Sequence, residues 1–139
     1  MAFGCRNRRT RKEVIMRKIE FRGKNFVGKW CYGYYLHDGQ RGRHVITDGL
    51  LDINGVLPDT IGQFTGLYDK KGTPVYEGDI FDLREFCIKV VYEPEYGRFA
   101  LRSDVEKNWM LPLDKGFCSS FVIVGNIHDN PELMKGGRK

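Results

Sequence analysis

Alternation of apolar and polar residues dominates this chain and predicts β-strands. Residues 18–22 alternate strictly, and residues 28–37 continue the pattern with large side chains on one face, namely Trp30, Tyr32, Tyr34 and Leu36. A period of two places such side chains on the same face of a strand. Residues 43–47 are the predicted partner strand, because the intervening DGQRG favours a hairpin loop. We expect these aromatic residues to fill the core or an interface.

Residues 49–57 carry a second turn signal. Asn-Gly is among the strongest short turn dipeptides, so we predict a turn at 52–55. Pro58 then interrupts the ladder, because it cannot donate a backbone hydrogen bond.

Glycine and aspartate recur along residues 60–81. We predict strands at 60–65, 73–76 and 80–83, a turn with a left-handed glycine at 69–72 and a bend at 77–79. Aspartates at such positions commonly accept hydrogen bonds from their own turn. The residues interpreted as turn and capping positions are Gly62, Gly66, Asp69, Gly72, Gly78 and Asp79.

The second half is simpler. Residues 86–93 and 98–102 flank a hairpin signal, residues 103–119 are the least regular, and 120–127 form the last strand. Residues 129–132 offer a helix start. The prediction is an all-β fold, a small antiparallel barrel or sandwich of short strands and hairpins with a short C-terminal helical turn.

Length and charge divide the chain into three parts. At 139 residues it is near the size of one domain, which we place at 16–134, between a basic extension at 1–15, expected to be flexible, and a tail at 135–139. The first 18 residues hold seven basic residues against one acidic residue. Since the whole chain has a net charge of +5, the remaining 121 residues sum to −1. The extension is either a genuine basic arm or a product of start-codon choice.

The arm is the one concentrated cationic element and can engage phosphates through counterion release. Aromatic residues do not alternate with its arginines, so base stacking is not encoded there. Its candidate nucleic-acid-binding residues are Arg6, Arg8, Arg9, Arg11, Lys12, Arg17 and Lys18.

Sequence motifs for catalysis are absent. The chain contains neither a phosphate-binding P-loop nor Gly-x-Ser-x-Gly, and its four cysteines are too widely spaced for zinc motifs. We expect no catalytic residues, metal site, cofactor or small-molecule substrate. Cys31, Cys87 and Cys118 are predicted to be buried thiols, and Cys5 an exposed one. Without a secretory signal or a spanning segment, we expect a cytoplasmic protein with no membrane association.

Two metal hypotheses stay open. Glu77 and Asp79 are spaced so that they would share a face of an extended segment, as paired carboxylates around a divalent cation do. A bend at Gly78 is the competing interpretation. His37 and His44 can face each other across the predicted hairpin, which would be another route to a metal site.

Four segments resemble the YopX-like family of small phage and prophage proteins: MRKIEFRGK at 16–24, W-x-Y-G at 30–33, TIGQFTGLYDKKGTPVYEGDI at 60–80 and IVGNIHDNPEL at 123–133. The resemblance runs from about Met16 to Met134, with residues 1–15 outside the family's usual start. It implies a mainly β, self-associating protein of mobile genetic elements in a bacterial host. It transfers no catalytic residue.

Three functional hypotheses follow. The first is a non-enzymatic oligomerising or interaction module, which the aromatic strands and the near-neutral body favour. The second is a nucleic-acid-binding accessory protein that uses the basic arm. The third is a metal-dependent enzyme that uses Glu77 and Asp79.

Overall fold

The computed structural model describes residues 16–135 and is mainly β. Eleven strands are present: β1 Phe21–Lys24, β2 Trp30–Asp38, β3 Arg43–Thr47, β4 Ile53–Gly55, β5 Gly62–Tyr68, β6 Pro74–Tyr76, β7 Asp79–Asp82, β8 Cys87–Glu93, β9 Arg98–Arg102, β10 Met110–Pro112 and β11 Ile123–Asn126. One short α-helix, α1, covers Lys115–Cys118. Two 3-10 helices cover Pro58–Thr60 and Pro131–Lys135.

The strands form two antiparallel sheets. The first sheet has the order β4-β3-β2-β1-β5-β6, and the second has the order β10-β9-β8-β7-β11. The all-β prediction is therefore confirmed in its sandwich-like form, and within the described residues the sheets do not close into a barrel. Asn25 forms an isolated antiparallel bridge with Val56, so the end of β4 returns towards β1 and curls the first sheet.

The main core lies mostly on the second sheet, where Phe81, Ile88, Val90 and Leu101 are buried. Val75 of the first sheet joins them, together with Cys118 of α1. Apolar side chains from both sheets are thus buried on the same inner surface. The hydrophobic effect of this burial is the main force that holds the two sheets together.

The predicted hairpins are confirmed where a local turn signal is strong. β2 pairs with β3, and β8 pairs with β9 across residues 94–97. The Asp69–Gly72 turn is closed by a hydrogen bond of 2.9 Å from the Gly72 N–H to the Asp69 carbonyl, and Gly72 has a φ of 87°. Left-handed backbone of this kind carries little steric cost for glycine.

Three local predictions are wrong. Asn54 and Gly55 lie in β4, and the turn comes earlier, because the Asp48 carboxylate caps residues 50–52. The first strand begins at Phe21 instead of residue 18. Residues 103–119 contain a strand and a helix, β10 and α1. The predicted C-terminal helical turn is confirmed and is a 3-10 helix.

None of the helices within residues 16–135 has the length and apolar composition that crossing a lipid bilayer requires.

Candidate functional site

The predicted turn residues occupy three kinds of position. Gly62 and Gly66 lie within β5, not in turns. A Cβ atom on Gly62 would lie 2.8 Å from the Glu77 carbonyl oxygen, so this glycine allows two backbones to pass closely. Gly66 has a φ of 90° where the register of β5 against β6 shifts. Gly78, with a φ of 92°, forms the bend before β7.

Asp69 connects its own turn to the second sheet. Oδ1 accepts hydrogen bonds from the backbone N–H groups of Lys71 and Thr73, and Oδ2 accepts one from Ile123 at 2.9 Å. Burial opposes ionisation of this carboxyl, but the backbone donors outweigh burial and lower its pKa. Asp69 is therefore a fixed anion whose acceptor atoms are occupied by the chain itself.

Asp79 forms a buried ion pair with Arg22 across the sheets. The distance from Arg22 Nη2 to Asp79 Oδ1 is 2.8 Å, and the two side chains are 8% and 4% exposed. Asp79 Oδ2 accepts a hydrogen bond of 2.8 Å from the Tyr76 N–H. Burial raises the pKa of Asp79, and the Arg22 guanidinium opposes that shift. The pair joins β1 of the first sheet to β7 of the second.

Two aromatic rings enclose the Arg22 guanidinium. Its central carbon lies 4.6 Å from the Trp30 ring centre and 4.9 Å from the Tyr76 ring centre, which is cation–π geometry. Nη2 also donates to the Glu77 carbonyl oxygen at 3.3 Å, whereas the buried Nε has no partner in the structure. One donor of a buried cation is thus left unsatisfied.

Glu77 and Asp79 do not converge on a common point. Glu77 Oε1 accepts a hydrogen bond of 2.8 Å from the Gln63 N–H, towards the first sheet, while Asp79 faces Arg22. Burial raises the pKa of Glu77. Across residues 16–135, His, Cys, Asp and Glu side chains do not form a group of three or more that could hold a metal ion.

Trp30, which stacks on Arg22, also connects this ion pair to the C-terminal segment. Asp129 accepts hydrogen bonds from the Lys24 ammonium and, at 2.9 Å, from Trp30 Nε1. The Lys24 bond and then the Trp30 bond lower the pKa of Asp129 to about 2. Burial, with help from Arg22 and Lys24, lowers the pKa of the adjacent His128, which therefore favours its neutral form.

A pocket of about 510 Å³ opens beside Arg22 between β6 and β11, with Glu20, Tyr32, Tyr76 and Asn126 among its lining residues. Burial, and then the charge and hydrogen bond of Glu20, raise the pKa of Tyr76. The Tyr76 phenol therefore stays protonated at physiological pH. Its single O–H donates to Glu20, so the phenol can only accept a hydrogen bond from a ligand.

A second surface lies on β2, β3 and β4 of the first sheet. Tyr34 is opposite Thr47, which is opposite Ile53, and Leu36 is opposite Val45 in the next row. Opposed residues of neighbouring strands share one face. We call this surface the apolar face; its most exposed large side chains are Tyr32 (50%), Tyr34 (59%), Leu36 (56%), Leu50 (87%), Leu51 (90%) and Ile53 (71%). Of the two predicted locations of the β2 tyrosines, the core or an interface, the core is therefore wrong for Tyr32 and Tyr34, and the interface stays a prediction.

The sequence profile of one family, described as YopX protein, matches residues 5–135. The chain belongs to the YopX family. No curated protein matches it. The resemblance found in the sequence motifs is thus confirmed, and it covers most of the chain. The match also begins earlier than the motifs suggested, because residues 5–15 lie inside the YopX range.

Most of the candidate nucleic-acid-binding residues of this YopX-family chain lie outside the described residues: Arg6, Arg8, Arg9, Arg11 and Lys12. Arg17 and Lys18 are described, and both are exposed. Lys18 Nζ lies 3.1 Å from Glu20 Oε1, and this contact raises the pKa of Lys18. The positive charge of Lys18 is thus partly compensated by Glu20 within the domain.

The cysteine prediction holds for two of the three described thiols. Cys87 and Cys118 are buried, and burial raises the pKa of Cys118 to about 11. Cys31 is half-exposed, so the prediction of a buried thiol is wrong for it. Cys5 lies outside the described residues.

Sequence reasoning missed the central residue of the buried ion pair, Arg22. It lies in the FRGK segment, where alternation predicts a polar residue facing solvent, yet it is only 6% exposed. Its partner Asp79 is 57 positions away. A local signal cannot reveal such a pair, although the Trp30 ring at the start of β2 offers the kind of surface on which arginine stacks.

Proposed function

We propose that this YopX-family chain is a non-enzymatic interaction module that self-associates through the apolar face. The single observation that carries this proposal is that Tyr34 and Leu36 of β2 share a face with Ile53 of β4, across β3, and that each is more than half exposed. Monomeric soluble proteins rarely expose apolar patches of more than a few hundred Å².

The area of the face supports a second copy as the partner. A large apolar or aromatic side chain has roughly 150–250 Å² of surface, so the six exposed side chains present an area on the order of 800 Å². One partner of a standard stable interface contributes about the same area, ~800 Å².

The shape and charge of the face also support self-association. Asp48 Oδ1 accepts three backbone hydrogen bonds, from Leu50, Leu51 and Asp52, so the turn that displays the two leucines is held in one conformation. At the margin, Asp38 is directly opposite Arg43. A margin that carries both signs does not repel an identical copy.

Light scattering on the purified protein tests the proposal. We expect a mass above that of the monomer at tens of micromolar. Ile53→Lys places a charge in the centre of the face, and we expect it to weaken association roughly 100-fold or more. Because Ile53 is 71% exposed, this change removes little packing within the monomer.

Tyr96→Lys is the matched control, since Tyr96 is 69% exposed but lies in the turn between β8 and β9. It should associate like the wild type. A strictly monomeric wild type, or an Ile53→Lys variant that associates as the wild type does, would overturn the proposal.

A second candidate function is nucleic-acid binding by the basic arm. The family match begins at residue 5, so the five basic residues between Arg6 and Lys12 belong to the matched range, and this favours a role for them. Deleting residues 1–15 should abolish a salt-sensitive gel shift with duplex DNA. A shift that persists unchanged after the deletion would reject the arm as the binding element.

A further inference from the structure

Two histidines lie face to face on the hairpin formed by β2 and β3. His37 is directly opposite His44, and their rings are stacked with centroids 4.3 Å apart and planes within 7°. The Val56 N–H donates to the His44 carbonyl, so the backbone groups of His44 point to β4 and away from β2. His37 and His44 therefore form a non-hydrogen-bonded pair, the position where cross-strand side chains are closest.

Tyr35 orients one of the two rings. Its hydroxyl lies 2.7 Å from His44 Nδ1, and the two ring planes differ by 1°. When Nδ1–H donates to the phenol oxygen, the lone pair of His44 is on Nε2. Metal-binding histidines are characteristically held by such a hydrogen bond through their other ring nitrogen.

We propose that His37 and His44 form a binding site for a divalent transition-metal ion that prefers imidazole, of the Zn²⁺ or Cu²⁺ class, with Tyr35 as a positioning residue. The lone pairs of stacked imidazoles lie in parallel planes, so binding one ion at ~2.0–2.1 Å requires the exposed His37 ring to turn out of the stack until its nitrogen and His44 Nε2 converge. His37 is exposed and His44 half-buried, which leaves room for that rotation. Water completes the coordination, as at other open sites.

This site is independent of the proposed self-association. In β2, His37 alternates with Leu36, so the histidine pair lies on the other side of the strands from the apolar face. A bound ion would clamp β2 to β3 and stabilise the folded protein by mass action.

Calorimetric titration with Zn²⁺ tests the site. A Cys5→Ser, Cys31→Ser background removes two thiols that can also bind this ion. We expect one site, which His37→Ala and His44→Ala each weaken at least tenfold. His128→Ala is the matched control, because it removes the third histidine of the chain and should leave binding unchanged.

Two further measurements separate a metal site from a general loss of structure. Circular dichroism should be the same for all variants, and Cu²⁺ bound to the wild type should show two nitrogen ligands by electron paramagnetic resonance. Tyr35→Phe should weaken Zn²⁺ binding about tenfold, as loss of a supporting hydrogen bond does. Failure to bind Zn²⁺ below ~1 mM, or binding that both histidine variants retain, would overturn the site, and unchanged binding by Tyr35→Phe would overturn the positioning role.

Discussion

Replacement of Asp79 by Asn separates the charge of the buried pair from its shape. The amide has the same size and keeps an oxygen that can accept the Tyr76 N–H, but it removes the negative charge 2.8 Å from Arg22 Nη2. The guanidinium then lies between Trp30 and Tyr76 without a counter-charge. The free energy of unfolding should fall for this reason.

The expected loss follows from the burial of both groups. Removing one partner of a buried ion pair costs about 3–5 kcal/mol, because the remaining charge stays desolvated. We expect about 3 kcal/mol, the low end, since the amide still accepts a hydrogen bond. That loss lowers the folding equilibrium constant more than about 100-fold.

Urea unfolding measures the loss. Tryptophan fluorescence reports on both sheets, because Trp30 lies in β2 and Trp109 packs on the core of the second sheet. Asp104→Asn is the control: Asp104 pairs with Lys89 at 3.1 Å but is 45% exposed, so its loss should stay below ~1 kcal/mol.

Two outcomes would refute the reasoning. The first is an Asp79→Asn loss no larger than that of Asp104→Asn. The second concerns the double variant Arg22→Met, Asp79→Leu, which should recover part of the stability because it leaves no unpaired charge. A double variant less stable than Asp79→Asn would show that the charge is not the cause.

Three other perturbations follow from the same contacts. Asp129 has a lowered pKa of about 2, so its stabilising contribution is present above its ordinary pKa of 3.8 and is lost as the pH falls towards 2. In thermal unfolding, Asp129→Asn should be less stable than the wild type by about 1 kcal/mol at pH 7, and this difference should disappear near pH 2. A difference that persists near pH 2 would contradict the linkage. Gly62→Ala should lose about 1–3 kcal/mol in urea unfolding because of its contact with the Glu77 carbonyl, whereas Gly39→Ala, in open space, should change stability by less than ~0.5 kcal/mol. In a Cys5→Ser background, Cys31 should react with Ellman's reagent in the folded protein and Cys118 only as fast as the protein unfolds; a fast phase that persists when Cys31→Ser is added would disprove that assignment.

The hairpins could be predicted because their signals are local. The Asp69–Gly72 turn carries its own capping carboxylate and its left-handed glycine within four residues. The turn after β3 was misplaced because two local signals compete there. Asn54-Gly55 favours a turn, but Asp48 caps an earlier turn with three hydrogen bonds, and pairing with β3 keeps Asn54 extended.

The site itself could not be predicted, because its members are distant in the sequence. Arg22 and Asp79 approach only when the two sheets meet, and the exposure of Tyr34 depends on how far along β2 the second sheet extends. Alternation shows that two faces exist but not which one is buried. His37 and His44 are the exception, because one hairpin with a fixed register brings them together.

The link between Trp30 and Asp129 has a consequence for synthesis of the protein. The two residues are 99 positions apart, so the first hairpin leaves the ribosome long before its carboxylate partner exists. Contacts of such long range form slowly, because a long loop must close first. During translation the Trp30 indole N–H therefore stays hydrogen-bonded to water until Asp129 has been synthesised and can replace that water.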